Sequence, residues 1–90
     1  MKIRRSASLS KDYKNLPAQI QTRAGKQLLR LVENPKHPSL RTKKLRGTEI
    51  FEIRVTRGYR LTFKIEKEFL ILRRIGTHDL LKQEGQRPFT

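Results

Sequence analysis

The stretch Glu49-Ile-Phe-Glu-Ile-Arg-Val-Thr-Arg-Gly-Tyr-Arg-Leu-Thr-Phe-Lys-Ile-Glu66 alternates apolar and polar residues on either side of a glycine. This is the pattern of a half-buried β-hairpin. One face carries Phe51, Ile53 and Val55, then Tyr59, Leu61, Phe63 and Ile65; the other carries Glu52, Arg54 and Thr56, then Arg60, Thr62 and Lys64. A period of two sends the apolar set to one side of a sheet and the guanidinium groups to the other. An outer face with fixed arginines suits a polyanion.

The rest of the chain bounds that reading. Ninety residues make one domain with a single modest core. Twenty-two Lys and Arg against 8 Asp and Glu leave a net charge of +14, with a pI near 11.2. Such an excess repels itself in a compact fold and points to an anionic partner: nucleic acid, ribosome or an acidic protein. No apolar run is long enough to span a bilayer, and Met1-Lys-Ile-Arg-Arg5 lacks the apolar segment of a signal peptide. A membrane partner is therefore not expected. The absence of cysteine fits a reducing cytoplasm and removes thiolate metal sites. The two histidines are far apart in sequence, so neither a metal nor another cofactor is expected.

Outward from the hairpin, residues 2–8 read as a short first strand, and Ser8 or Ser10 as the cap of a helix bearing Leu9, Tyr13 and Leu16. Pro17 opens a second helix to Glu33, with Ile20, Ala24, Leu28 and Leu31 on one face, and Asn34-Pro35 ends it. Residues 34–47 read as a basic loop containing Arg41, Lys43, Lys44 and Arg46; Phe69–Ile75 reads as a last strand and His78–Gln83 as a short helix. The expectation is one domain over residues 1–84 with a loose tail at 85–90. Its class is α+β: two N-terminal helices on one face of a small, mostly antiparallel four-stranded sheet, in the order β-α-α-β-β-β. With both helices on a single face, the opposite face stays available for a partner.

Three local signatures join that order. They are Leu16-Pro-x-x-Ile20 before the apolar helix and Asn34-Pro35; Leu45-x-Gly47 leading into Phe51–Val55, then Tyr59-Arg60-Leu61 and Phe63; and Ile75-Gly-Thr-His-Asp79 after the last strand. Together, over residues 1 to 82, they resemble the RelE/ParE superfamily of bacterial and archaeal toxins. The resemblance implies a RelE-like fold, related in chemistry to small microbial ribonucleases. It also implies a type II toxin that cleaves mRNA in the ribosomal A site and is silenced by an acidic antitoxin. ParE-like members share the fold and act on DNA gyrase, and a degenerate RNA-binding member is a third reading.

By the same resemblance, His78 matches the histidine proposed as general acid or base in the YafQ-type branch. Arg60 matches the arginine that holds the scissile phosphate, and Arg54 a basic residue of the preceding strand. Glu52 stands where the RelE pattern has lysine, and Leu81-Lys-Gln-Glu84 offers no counterpart to the C-terminal aromatic residue of RelE.

Internal RNA cleavage needs proton transfer at the 2′-hydroxyl and at the leaving 5′-oxygen, with charge relief at the phosphorane. Histidine suits the first task, with a pKa of about 6.5 and a typical contribution of ~10²–10⁴-fold. Arginine suits the second, because its planar fork donates two parallel hydrogen bonds. Arg54 and Arg60 share outward parity and are expected to converge on one phosphate; Asp79 would fix the imidazole tautomer or cap the last helix. Lys43, Lys44, Arg46, Lys64, Arg73 and Arg74 are expected to contact RNA and phosphate, with one of the adjacent Arg73 and Arg74 on the open face. His37, between two prolines, reads as structural or as an RNA contact, and Tyr59 and Phe63 belong to the core.

Overall fold

A computed structural model describes residues 2–82; the expected tail at 85–90 lies outside them. The elements are β1 (Lys2–Arg5), α1 (Ala7–Lys14), α2 (Ala18–Glu33), a 3₁₀ turn (Pro38–Leu40), β2 (Lys43–Lys44), β3 (Phe51–Arg54), β4 (Tyr59–Glu66), β5 (Phe69–Thr77) and α3 (His78–Lys82). They build one five-stranded sheet in the order β1-β5-β4-β3-β2. All pairings are antiparallel except β1 with β5.

The hairpin register sets Phe51 opposite Phe63, Ile53 opposite Leu61 and Arg54 opposite Arg60. The two phenylalanine rings stack with centroids 5.5 Å apart, a cross-strand contact of the kind that contributes ~0.5–1.5 kcal/mol beyond its burial. Ile53, Val55, Leu61 and Phe63 join Leu9 of α1, Ala24 and Leu31 of α2, Leu40, and Leu70, Leu72 and Ile75 of β5 in one core. The apolar half of the hairpin thus meets both long helices, as the alternation requires.

The structure departs from the sequence reading in four places. A fifth strand, β2, arises within the predicted loop; Lys43 and Lys44 are both exposed, so no alternation announces it. The cap of α1 is Ser6, whose Oγ accepts from Leu9 N at 3.0 Å, not Ser8 or Ser10. Gln27, rather than the half-buried Leu28, completes the inner stripe of α2. Its amide hydrogen bonds to Arg54 O at 2.7 Å and Ser39 O at 3.1 Å, which satisfies a buried polar group and ties α2 to β3.

The fourth departure concerns the face opposite the long helices, which is not open throughout. Glu52 and Thr62 on that face are buried, and α3 packs against β4 and β5. Leu81 of α3 is also buried, apart from the core shared by the long helices.

Candidate functional site

The chain turns from β3 into β4 through Val55–Gly58, closed by Val55 N–H donating to Tyr59 O at 3.0 Å. Arg60 follows at once, and its guanidinium folds back onto this turn. Its Nη1 donates to the carbonyls of Thr56 (2.6 Å), Arg57 (3.0 Å) and Tyr59 (3.0 Å), while its Nε lies 3.7 Å from Glu52 Oε1. Both side chains of this ion pair are largely removed from solvent. A buried carboxylate stripped of its cation is strongly unfavourable, so Glu52 and Arg60 hold each other in place.

His78 stands where β5 passes into α3. Its backbone N–H donates to Gly58 O at 3.1 Å, which fastens the start of α3 to the Arg60 turn. Its imidazole Nδ1 is buried and has no hydrogen-bond partner among the described residues. An orphaned buried polar atom is uncommon in a folded protein. Asp79, expected to fix the tautomer, does not bond to that nitrogen; it is exposed in the first turn of α3, where a negative charge complements the helix dipole.

Arg73 and Arg74 sit at a break in the β4–β5 ladder. Thr62 pairs with Arg74 but Phe63 pairs with Leu72, so Arg73 is an extra residue, a β-bulge. The bulge ends the simple alternation that would place one arginine outward. Asp12 of α1 closes this corner: its carboxylate accepts from Arg74 Nε (2.7 Å), Arg74 Nη2 (3.1 Å) and the backbone N–H of Ile75 (3.1 Å). A side chain thereby satisfies the strand edge just beyond the end of β1. Arg74, expected among the RNA contacts, is thus also part of the fold's own wiring.

The sequence profile of the ParE-like toxin domain matches residues 18–79, a span that holds α2, the hairpin, β5 and His78. The chain belongs to the ParE-like toxin family. Among proteins of curated function, none matches this toxin in sequence. Solved structures agree on the fold. YafQ from E. coli strain BL21(DE3) is 23% identical with a TM-score of 0.73, covering 89% of this toxin and 96% of YafQ. The YoeB/ParE toxin from Agrobacterium tumefaciens is 16% identical with a TM-score of 0.75, covering 87% and 99%. A chain of the intact E. coli RelBE toxin-antitoxin complex is 21% identical with a TM-score of 0.68, covering 84% and 94%.

The remaining expected contacts of the toxin are dispersed. Arg54 faces Arg60 across the ladder, and the two guanidinium groups are near enough to repel, but each engages its own surroundings. Arg60 turns to Glu52 and the turn carbonyls, while Arg54 lines a cavity of about 480 Å³ between α2, the 3₁₀ turn and the hairpin turn. Desolvation, then repulsion from Arg41, Arg60 and Arg57, pushes the Arg54 pKa below its ordinary value. Lys64 pairs with Glu66 on its own strand.

Lys43 and Lys44 are exposed on edge strand β2, Lys44 within 4.0 Å of Glu49, and Arg46 is exposed in the turn that follows. His37 is structural: its Nδ1 accepts from Ser39 N at 3.1 Å and caps the 3₁₀ turn. Sequence reasoning missed Asp12 and Gln27. A glutamine seven residues after Ile20, in line with the apolar stripe, is the signal that could have found the second.

Proposed function

We propose that this toxin is a ribosome-dependent mRNA endonuclease of the cytoplasm, held silent by an acidic antitoxin. The reading is carried by one observation: a histidine fastened to the Arg60 turn whose buried Nδ1 has no partner among the described residues. With no structural hydrogen bond at Nδ1, the imidazole is not locked into one tautomer and can carry a proton to or from substrate. In the proposed step the 2′-oxygen attacks phosphorus as its proton leaves. The P–O5′ bond breaks, and the products are a 2′,3′-cyclic phosphate and a free 5′-hydroxyl. His78 handles one of the two proton transfers, and a guanidinium of the hairpin offsets charge on the phosphorane. The net charge of +14 supports a polyanionic substrate, and the neighbours crystallised as the RelBE and DinJ-YafQ toxin-antitoxin complexes support an antitoxin partner.

Induced expression should arrest growth and yield cleaved transcripts in a translating extract, and His78→Ala should lower cleavage by about 10²-fold or more. If His78→Ala cleaves as fast as the parent, the assignment fails. The pH–rate profile distinguishes the role: activity that depends on a base falls toward acid pH, and activity that depends on an acid falls toward alkaline pH.

A second reading is favoured by the engagement of Arg60 with Glu52 and three carbonyls. On that reading the guanidinium is a structural clamp and the toxin inhibits DNA gyrase, as ParE-like members do. Intact transcripts together with induced DNA damage would select it.

A further inference from the structure

The cavity that receives Arg54 contains more cationic chemistry than the fold uses. Arg23, Lys26 and Arg30 of α2, Arg41 after the 3₁₀ turn, Arg54 of β3 and Arg57 of the hairpin turn all line it. Among the described residues none of the six has a carboxylate within 4.0 Å, whereas Lys2, Lys44, Arg60, Lys64 and Arg74 each do. The walls are also preset. Buried Gln27 bonds to Arg54 O and Ser39 O, and its Oε1 together with Ser39 Oγ accepts from Arg30 Nη1 at 3.0 and 3.1 Å. Arg41 is held in the left-handed region at φ 47°, a conformation that non-glycine residues adopt at some cost.

From this convergence of uncompensated cations on a fixed frame, we infer that the groove between α2 and the hairpin turn is a binding site for consecutive phosphates of a single-stranded RNA backbone. Repulsion within the set, registered at Arg54, is relieved when anions enter. Arginine forks match phosphate oxygens in pairs. A peptide partner fits less well, because apart from buried Val55 the lining is polar. An apolar cavity of about 480 Å³, bounded by Leu9, Tyr13, Leu28 and Leu72, is where apolar side chains of a polypeptide would seat instead.

The inference rests on RNA being the ligand of this toxin and not on cleavage. The probe is a fluorescent 2′-O-methyl oligonucleotide, which cannot undergo internal transfer, titrated by anisotropy at several salt concentrations. Arg23→Gln/Arg41→Gln/Arg57→Gln should weaken binding at least about tenfold and flatten the log–log salt slope by about 2, at ~0.7 per lost contact. A charge-matched control, Lys11→Gln/Lys14→Gln/Lys67→Gln, should shift affinity far less, and melting curves confirm that both triples fold. Equal losses in the two triples would show net charge alone at work and overturn the site. Unchanged binding in the groove triple would overturn it too, while leaving cleavage by the parent toxin untouched. If the parent binds no RNA at any salt, the proposed function falls together with the groove. A poly-glutamate of equal length that loses as much affinity as the RNA in the groove triple would assign the groove to an acidic polypeptide and overturn the phosphate reading.

Discussion

Two arginine-bearing corners of the same sheet are built on opposite principles. At the Asp12–Arg74 corner, a carboxylate accepts two hydrogen bonds from the guanidinium and a third from the strand edge. At the α2–hairpin groove, six cations face one cavity and no carboxylate answers them among the described residues. Acidic residues number 8 in the chain. Asp12 and Glu52 among them stand where a cation must be immobilised for the fold, and none of the described ones lines the groove. The difference separates cations that hold the protein together from cations that face outward for a partner.

The contrast is most easily broken at Asp12. Asp12→Ala removes the acceptor of two guanidinium hydrogen bonds and of an edge N–H. It should lower unfolding free energy by about 2–3 kcal/mol, measured in urea; a loss below about 0.5 kcal/mol would put this corner in the same class as the groove. Next comes the Glu52–Arg60 pair. Arg60→Ala should destabilise by about 2 kcal/mol by stranding Glu52 and uncapping the turn carbonyls, and Glu52→Gln/Arg60→Ala should recover part of that loss in a double-mutant cycle. Strict additivity of the two changes would show that the residues do not hold each other.

The groove should respond with the opposite sign. Arg54→Gln removes a charge whose pKa the fold depresses. A guanidinium so shifted is still charged at neutral pH, so its unfavourable effect is present throughout the working range and would lift only in strong alkali. The variant should therefore melt slightly higher than the parent at low salt, and the gain should fade as salt is added. A lower melting temperature at low salt would mean that Arg54 is compensated after all.

The smallest effect is expected at Glu66, whose carboxyl is held below the ordinary carboxylate range by the hydrogen bond from Lys64. Its contribution is present above the unfolded carboxyl value of about 4.3 and is lost as pH falls through the lower folded value. Glu66→Gln should thus match the parent in strong acid and fall marginally below it at neutral pH, compared by thermal melts. A deficit that persists in strong acid would exclude the charge as its cause.

What could be read from the sequence follows from how periodic each signal is. The hairpin and α2 repeat with the periods of their elements, so the shared inner face of Ile53, Leu61 and Phe63 and the Ala24 and Leu31 positions of α2 were legible from residue order alone, while the strand register and Gln27 were not. Strand β2 was not, because two exposed lysines carry no alternation and pair only through backbone. The bulge at Arg73 was equally silent, since only the partner strand reveals the slipped register. Asp12 is remote from Arg74 in the chain, and no local pattern joins them. Glu52 is the instructive case. The sequence marked it as a departure from a basic family position, and the structure supplies its physical role as the anion that restrains Arg60.

The first strand carries a consequence for how the molecule is made. β1 pairs in parallel with β5, with Lys2 opposite Phe69 and Arg5 opposite Leu72, so β1 must wait for a partner that is synthesised long after it. Pairing over so long a separation in sequence is slow to form. Until then a nascent chain has an unclosed sheet and lacks the segment bearing His78. A chain that ends before β5 therefore has neither a partner for β1 nor the histidine, so the sheet and the His78 corner are completed by the same late segment.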